Sequence, residues 1–377
     1  VAIGRLAGQT SQQGSAVAIG YFAGNDNQQS NAVAIGNSAG CNTQGEYTVA
    51  IGNLAGQTSQ QTNSVAIGRS AGQSNQQSNS VAIGFEAGQT GQHESSVAIG
   101  NSAGYDTQGG YAVAIGLYAG YSSQQGLAVA IGNNAGYSSQ GGYAVAIGVG
   151  AGRTSQQTSS VAIGTNAGET SQQGSAVAIG LNAGQFSQQG LAVAIGQEAG
   201  QTSQQGSAVA IGNAAGYENQ QANAVAIGTL AGESNQAANS IILNATGSAL
   251  NQATPSTFTV KPIRNELVID ASYSSLFYNS ASGEIVSGSN LGGATGPVGA
   301  VQYCDGQGGI TGGTGFLYNP ADPSGNVLRL MGHFIPSQTA LYDLGSTGAY
   351  WRDLYVSNNS IKFVGPANYV TASLTVD

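Results

Sequence analysis

A tetrapeptide recurring every sixteen residues constrains this chain more than any other feature of its sequence. Val-Ala-Ile-Gly begins at Val1 and returns without insertion or deletion through Val225, which gives fifteen copies. Ala-Gly stands at the seventh and eighth positions of each repeat, and Gln stands at the twelfth. Such strict spacing is typical of coils stacked in register, because a globular domain tolerates loop insertions.

Each repeat predicts one coil, or rung, of a parallel β-solenoid with two short strands and two turns. A period of sixteen is too short for helix-pair repeats, and Val and Ile two residues apart follow the alternation of a strand. We therefore expect Val1 and Ile3 to point into the coil, with Gly at the corners that need a positive φ. At about 4.8 Å per rung, fifteen rungs predict a rod on the order of 70 Å long.

The recurring Gln predicts a structural ladder along the rod. Identical amides one rung apart can donate to and accept from one another, as in other stacked β structures. The first members of this ladder include Gln12, Gln28 and Gln60. A structural role for these side chains is favoured over a binding role.

The Ala between Val and Ile bears on assembly. If Val and Ile point inward, Ala2 and its equivalents point outward, yet this residue is the same in all fifteen copies. The residue before each Val is small as well. An outer face restricted to small residues suggests close approach by a second copy of the chain, and the alternative is that Ala lies in a tight corner of its own coil.

These rungs resemble the head repeats of trimeric autotransporter adhesins, in which three β-rolls pack side by side. The resemblance rests on the VAIGxxAG motif and covers residues 1–240. The period in those heads is usually shorter than sixteen. The resemblance implies a homotrimer, so the predicted partner of the chain is itself.

After residue 240 the repeat gives way to different sequence, which predicts three further segments. Residues 241–290 read as a cap and neck of β structure, with a hairpin around Ser282-Gly283; residues 291–300 form a Gly-rich, collagen-like linker; residues 301–377 form a β-rich C-terminal module. The module's Trp351-Arg352-Asp353-Leu354-Tyr355 resembles segments near the end of phage and large-virus fibre proteins. The neck likewise resembles predicted fibre proteins of large DNA viruses. The fold class expected for the whole chain is all-β.

Composition and charge argue against several function classes. Net charge is −9, from 17 acidic and 8 basic residues, which disfavours nucleic acid as a partner. No apolar run approaches the ~18 residues of a membrane span, so membrane insertion is not expected. The chain opens within the repeat and without Met, so we expect a fragment or a processed product.

Residues for chemistry are scarce. Cys41 and Cys304 lie far apart, and His93 and His333 occupy unrelated regions, so neither a metal site nor a Ser-His-Asp arrangement can be assembled. Acidic residues are scattered among turns. We therefore expect no catalytic, cofactor-binding or metal-binding residue and no cofactor, and the chain is predicted not to be an enzyme.

One surface feature is a candidate binding site. Tyr105, Tyr121 and Tyr137 hold the same position on three consecutive rungs, and Tyr111 and Tyr143 recur at another. Stacked aromatics commonly stabilise neighbouring strands. The alternative is an aromatic strip that holds host-surface carbohydrate or another receptor.

The function predicted from these features is a structural or attachment fibre, homotrimeric and non-enzymatic, on a virion surface or otherwise extracellular. The alternatives are a bacterial trimeric surface adhesin head and an ice-binding solenoid. Ice binding is disfavoured because the tenth position mixes Thr10, Thr58 and Thr90 with Asp26 and Phe186.

Overall fold

The computed structural model describes residues 1–263 and 275–288, together with six short strands between residues 303 and 374. Two compact units divide the chain, Val1–Asn265 and Glu266–Asp377. The first unit is a parallel β-solenoid, and the described strands of the second pair as antiparallel hairpins. The all-β prediction and the parallel solenoid are confirmed.

The principal sheet of the solenoid has 17 parallel strands, one from each rung. Every strand pairs with its equivalent one rung away, so that Val113, Ala114 and Ile115 lie beside Val129, Ala130 and Ile131. This register follows from the constant spacing, because each rung presents the same residue at the same height. The strands are Ala2–Ile3, Val17–Ile19, Val33–Ile35, Val49–Ile51, Val65–Ile67, Val81–Ile83, Val97–Ile99, Val113–Ile115, Val129–Ile131, Val145–Ile147, Val161–Ile163, Val177–Ile179, Val193–Ile195, Val209–Ile211, Val225–Ile227, Ile241–Asn244 and Phe258–Lys261.

A second, less continuous face is made by the residues that lead into the recurring Gln. It contains a three-stranded and a four-stranded parallel sheet, and single bridges such as Thr154 to Thr170 continue it elsewhere. The strands are Asp26–Gln28, Asn42–Gln44, Thr58–Gln60, Thr90–Gln92, Asp106–Gln108, Ser122–Gln124 and Ser138–Gln140.

The prediction that Val and Ile of each strand point into the coil is wrong. The Ala between Val and Ile is fully buried on every rung from Ala18 to Ala226, whereas the flanking Val and Ile are half-buried or exposed. Ile99, Ile147 and Ile211 are each 36% exposed. Val and Ile therefore face outward, and Ala forms the core. The inference that an outward Ala marks an interface is wrong as well, because this Ala is buried in its own chain.

The narrow cross-section of the coil is the reason. The interior is filled by the Gln side chain and by small residues at three positions of each rung. Two of these positions are always Ala, and the third is Ala on most rungs and Ser or Thr on the others. A Cβ added at Gly56 would lie 3.3 Å from the Ala50 Cβ, which leaves no room for a branched side chain at that depth. The invariance of Ala is thus a packing constraint within one chain, close to the alternative that Ala occupies a tight place in its own coil.

Two recurring glycines are required by contacts between rungs. The Gly after each Ile has φ near 130°, and a Cβ on Gly116 would lie 2.6 Å from the Gly132 carbonyl oxygen. The Gly at the eighth position is left-handed, and a Cβ on Gly120 would meet the buried amide of Gln124 at 2.7 Å. Both glycines are needed for close approach as well as for turning the chain.

The parallel stack continues past the last Val-Ala-Ile-Gly. Ile241–Asn244 and Phe258–Lys261 add two further strands to the principal sheet, in parallel register with the rungs before them. The inward position becomes Ile242, which is fully buried beside Leu250. The solenoid thus extends through Lys261, into the segment that the sequence assigns to the cap and neck.

The described residues of the second unit form four antiparallel hairpins. The hairpin predicted around Ser282-Gly283 is present, and the amide of Gly283 donates to the carbonyl of Asn279. The collagen-like linker 291–300 and the Trp351–Tyr355 segment lie outside the described residues. The hairpin strands are Ser275–Tyr278 with Ile285–Gly288, Tyr303–Cys304 with Ile310–Thr311, Phe316–Asn319 with Val327–Leu330, and Ile361–Val364 with Val370–Leu374.

Candidate functional site

The recurring Gln side chains form a hydrogen-bonded column inside the solenoid. Gln12 donates through Nε2 to Oε1 of Gln28 at 2.9 Å, and Gln28 donates to Gln44 at 3.0 Å. Each amide also donates within its own rung, as Gln28 does to the carbonyls of Val17 and Ala32. The column fixes the spacing of the coil walls and presents no group to a ligand, because these side chains are buried from Gln28 onward.

The column is interrupted at one place. Gln60 receives a bond of 3.4 Å from Gln44 and donates to the carbonyls of Val49 and Ser64, but makes no bond to the next amide. Oε1 of Gln76 is consequently buried without a hydrogen-bond partner. From Gln76 the column resumes and continues to Gln236.

The three predicted tyrosines lie together on the outside of the rod. The rings of Tyr105 and Tyr121 are stacked with centroids 4.9 Å apart, and those of Tyr121 and Tyr137 are 5.0 Å apart. Tyr118 meets Tyr121 edge-on at 5.6 Å. Partial burial raises the pKa of Tyr121, and the neighbouring hydroxyls of Tyr105 and Tyr137 raise it further.

This ring stack is one part of a longer outer column at the ninth position of the rungs. Gln73 donates to Gln57 and Gln89 donates to Gln73, at 3.0 and 3.1 Å. Beyond the tyrosines, Arg153 pairs with Glu169 at 3.4 Å, and Gln185 donates to the same carboxylate. Since both faces of Tyr121 lie against Tyr105 and Tyr137, this geometry agrees with the stabilising interpretation, and the binding role of the strip stays a prediction.

A long exposed apolar feature of the solenoid consists of residues that the sequence predicts to lie inside. The outward Val and Ile of the principal sheet form a continuous line, here called the Val/Ile stripe, from Val1 to Val260. Exposed residues at the fifth position border it, including Leu117, Val149 and Leu181. The signal that could have located this stripe is the small size of every other recurring residue, since a core of Ala and Gln leaves Val and Ile nowhere but outside.

Neither a metal centre nor a membrane-spanning helix is found in the part of the chain that the structure describes. No group of three or more His, Cys, Asp or Glu side chains able to hold a metal occurs among the residues that the structure describes. Within that same part of the chain, no helix is long and apolar enough to cross a membrane. Cys41 is partly exposed, and burial followed by the nearby Asp26 raises the pKa of its thiol.

Comparisons with known proteins add no assignment. No protein-family model matches this chain, and no curated protein and no solved structure was found to be similar to it. The fold and the surfaces described above therefore carry the functional interpretation.

Proposed function

We propose that this chain is a non-enzymatic fibre that assembles as a homotrimer through the Val/Ile stripe and serves as a structural or attachment rod on a virus particle. The observation that carries the assembly is the stripe itself. The trimeric state rests on the resemblance of the rungs to trimeric adhesin heads. The place on a virus particle rests on the resemblance of the C-terminal segments to viral fibre proteins.

The extent of the stripe argues that it is covered in the working particle. Seventeen strands at about 4.8 Å give a length of roughly 77 Å, and Val and Ile two residues apart give a width of at least about 6.6 Å. The product is roughly 500 Å², before the bordering residues are added. Contiguous exposed apolar patches on soluble proteins are rarely larger than a few hundred Å².

A second copy of the chain is the occupant that fits best. The stripe repeats at every rung and carries no charge, so a matching surface is equally long, apolar and periodic. A parallel copy supplies such a surface through its own stripe. Two or more copies side by side would also stiffen a rod already held by backbone hydrogen bonds between rungs and by the Gln column.

The native mass tests this proposal. Three chains of 37.4 kDa predict a particle of about 112 kDa in light scattering and a slender rod in electron microscopy. A monomer mass with the stripe intact would contradict the assembly.

A matched pair of variants locates the interface. Ile115→Asp adds a carboxylate within the stripe, and we expect loss of the trimer because unpaired charges brought together in an apolar contact cost several kcal/mol. Thr154→Asp is the control, since Asp26 and Asp106 occupy the same position of other repeats and its neighbours on the adjacent rungs, Ser138 and Thr170, are uncharged. If both variants kept the wild-type mass, the stripe would not be the contact.

A further inference from the structure

Three rungs carry a turn that differs from all the others. At the thirteenth position Gly replaces the usual Gln at Gly45, Gly109 and Gly141, and in each of these rungs the fifteenth residue is Tyr. No other of the fifteen repeats has Gly at the former position or Tyr at the latter. We call residues 45–47, 109–111 and 141–143 the Gly–Tyr turns.

The tyrosines of these turns have strained backbones without compensating burial. Tyr47, Tyr111 and Tyr143 have φ of 56°, 59° and 60°, where aromatic residues are uncommon. Their side chains are 57%, 59% and 64% exposed. Ten of the other twelve repeats place Ser or Asn there, and Asn tolerates this conformation. A strained residue that packs against little within its own chain is a candidate for function.

The pairing of Gly with Tyr is specific. Leu127 and Leu191 occupy the same fifteenth position, also at positive φ, yet their rungs keep Gln125 and Gln189. A bulky apolar side chain at this position therefore does not require Gly two residues earlier. The Gly accompanies Tyr for another reason.

The Gly interrupts the row of Gln side chains and leaves a gap there, and the Gly itself lies close to the backbone of the next rung. A Cβ on Gly141 would lie 2.5 Å from the backbone nitrogen of Thr158, and one on Gly109 would lie 2.4 Å from that of Gly126. Both contacts are with backbone, which cannot move aside. The turn closes just beyond the gap, where the amide of Ala144 donates to the carbonyl of Gly141.

The gap at Gly141 is a shallow cavity of about 180 Å³, with Tyr143 in the same turn. Its walls offer amide and hydroxyl groups and no charged side chain. They include Ser123, Gln125, Ser139, Gln157 and Thr158.

We propose that the Gly–Tyr turn at 141–143 binds a neutral hexopyranose unit of a surface glycan. Gln125 and Gln157 supply donors and acceptors for sugar hydroxyls, while the exposed Tyr143 offers an apolar ring with a polar tip. The uncharged lining disfavours sialylated or sulfated sugars. A small concave site with a few polar groups is the usual form of a small-molecule site.

This inference rests on the attachment role in the proposed function and gives it a ligand class. Assembly repeats the site at 141–143 on each chain of the particle, which allows individually weak contacts to add up to firm attachment.

An array of immobilised neutral oligosaccharides, with sialylated and sulfated glycans beside them, tests the proposal. The turn variant carries Tyr47→Ser, Tyr111→Ser and Tyr143→Ser and keeps every glycine of the Gly–Tyr turns. Ser occupies the same position at positive φ in other rungs, as Ser95 and Ser159 do, so the solenoid should accept it. The control variant, Leu127→Ser with Leu191→Ser, removes exposed apolar side chains from the same position without touching a Gly–Tyr turn.

The wild type and the control should bind neutral hexose-containing glycans, and the turn variant should bind them at least about tenfold more weakly, which corresponds to about 1.4 kcal/mol. Three results would overturn the proposal: no neutral glycan bound by the wild type, equal binding by the turn variant, or equal loss in the control.

Light scattering of the same samples separates this site from the chain–chain contact. A change of particle mass in the turn variant would place the tyrosines in that contact and overturn the glycan site. A monomeric wild type whose glycan binding still depends on the turns would support the site while refuting the trimer.

Discussion

Replacing Gln124 with Leu should destabilise the solenoid more than the same change at Gln60. Gln124 donates to Oε1 of Gln140 at 3.1 Å, and this is the only hydrogen bond which that buried oxygen receives. Gln124→Leu therefore leaves a buried acceptor unpaired. Gln60→Leu creates no new orphan, because Oε1 of Gln76 already lacks a partner.

The two variants share their other losses. Each removes two bonds to carbonyls of its own rung and one bond from the preceding amide, and each gains the burial of a Leu side chain. These terms largely cancel in the difference. What remains is the cost of the unpaired oxygen, about 1–3 kcal/mol.

Denaturant unfolding followed by circular dichroism, with both variants at one protein concentration, measures this difference. The unfolding free energy of Gln124→Leu should be lower than that of Gln60→Leu by that amount. Equal free energies, or a larger loss at Gln60, would refute the role assigned to the amide column.

Two further predictions concern the corners and the ring stack. Gly116→Ala should destabilise the solenoid by more than about 1 kcal/mol, since its Cβ would lie 2.6 Å from a backbone oxygen at φ of 130°. Gly206→Ala, whose added Cβ would have its nearest contact at 3.5 Å, is the control in the same unfolding assay. An equal loss of stability in both variants would contradict the close-approach explanation. Tyr121 should ionise at higher pH than a free tyrosine, because its pKa is raised, first by burial. The stability that its protonated ring contributes should be present below pH 10 and be lost as pH rises through the raised pKa. Ultraviolet titration of tyrosinate in the wild type and in Tyr121→Gln checks this, and identical profiles per tyrosine would refute it.

The architecture of the repeats could be predicted because it depends on spacing alone. A period of sixteen without insertions places each residue beside its equivalent on the next rung. The parallel register and the inner amide column both follow from that alignment. The Gly–Tyr pairing can also be read from the sequence, whereas the cavity beside Gly141 is found only in the structure.

The fate of the tyrosine strip depended on distances. The sequence places Tyr105, Tyr121 and Tyr137 at one position of the rung, which is compatible with either a ligand platform or a stack. Ring centroids 4.9 and 5.0 Å apart, nearly parallel, are the geometry of a stack. Side-chain rotamers set this geometry, and a repeat spacing does not specify them; whether the strip also binds a ligand stays a prediction.

The sequence by itself determined the stacked coils, their register and the alternation of the strand residues. Only the tertiary structure decided which of the two alternating faces is inside. Alternation divides a strand into two sides and does not specify which of them faces the interior of the coil. The more hydrophobic side is usually inferred to be the buried one. Here the width of the coil decides instead, because an interior already filled by Ala50, Gln60 and their equivalents has no volume for Val or Ile.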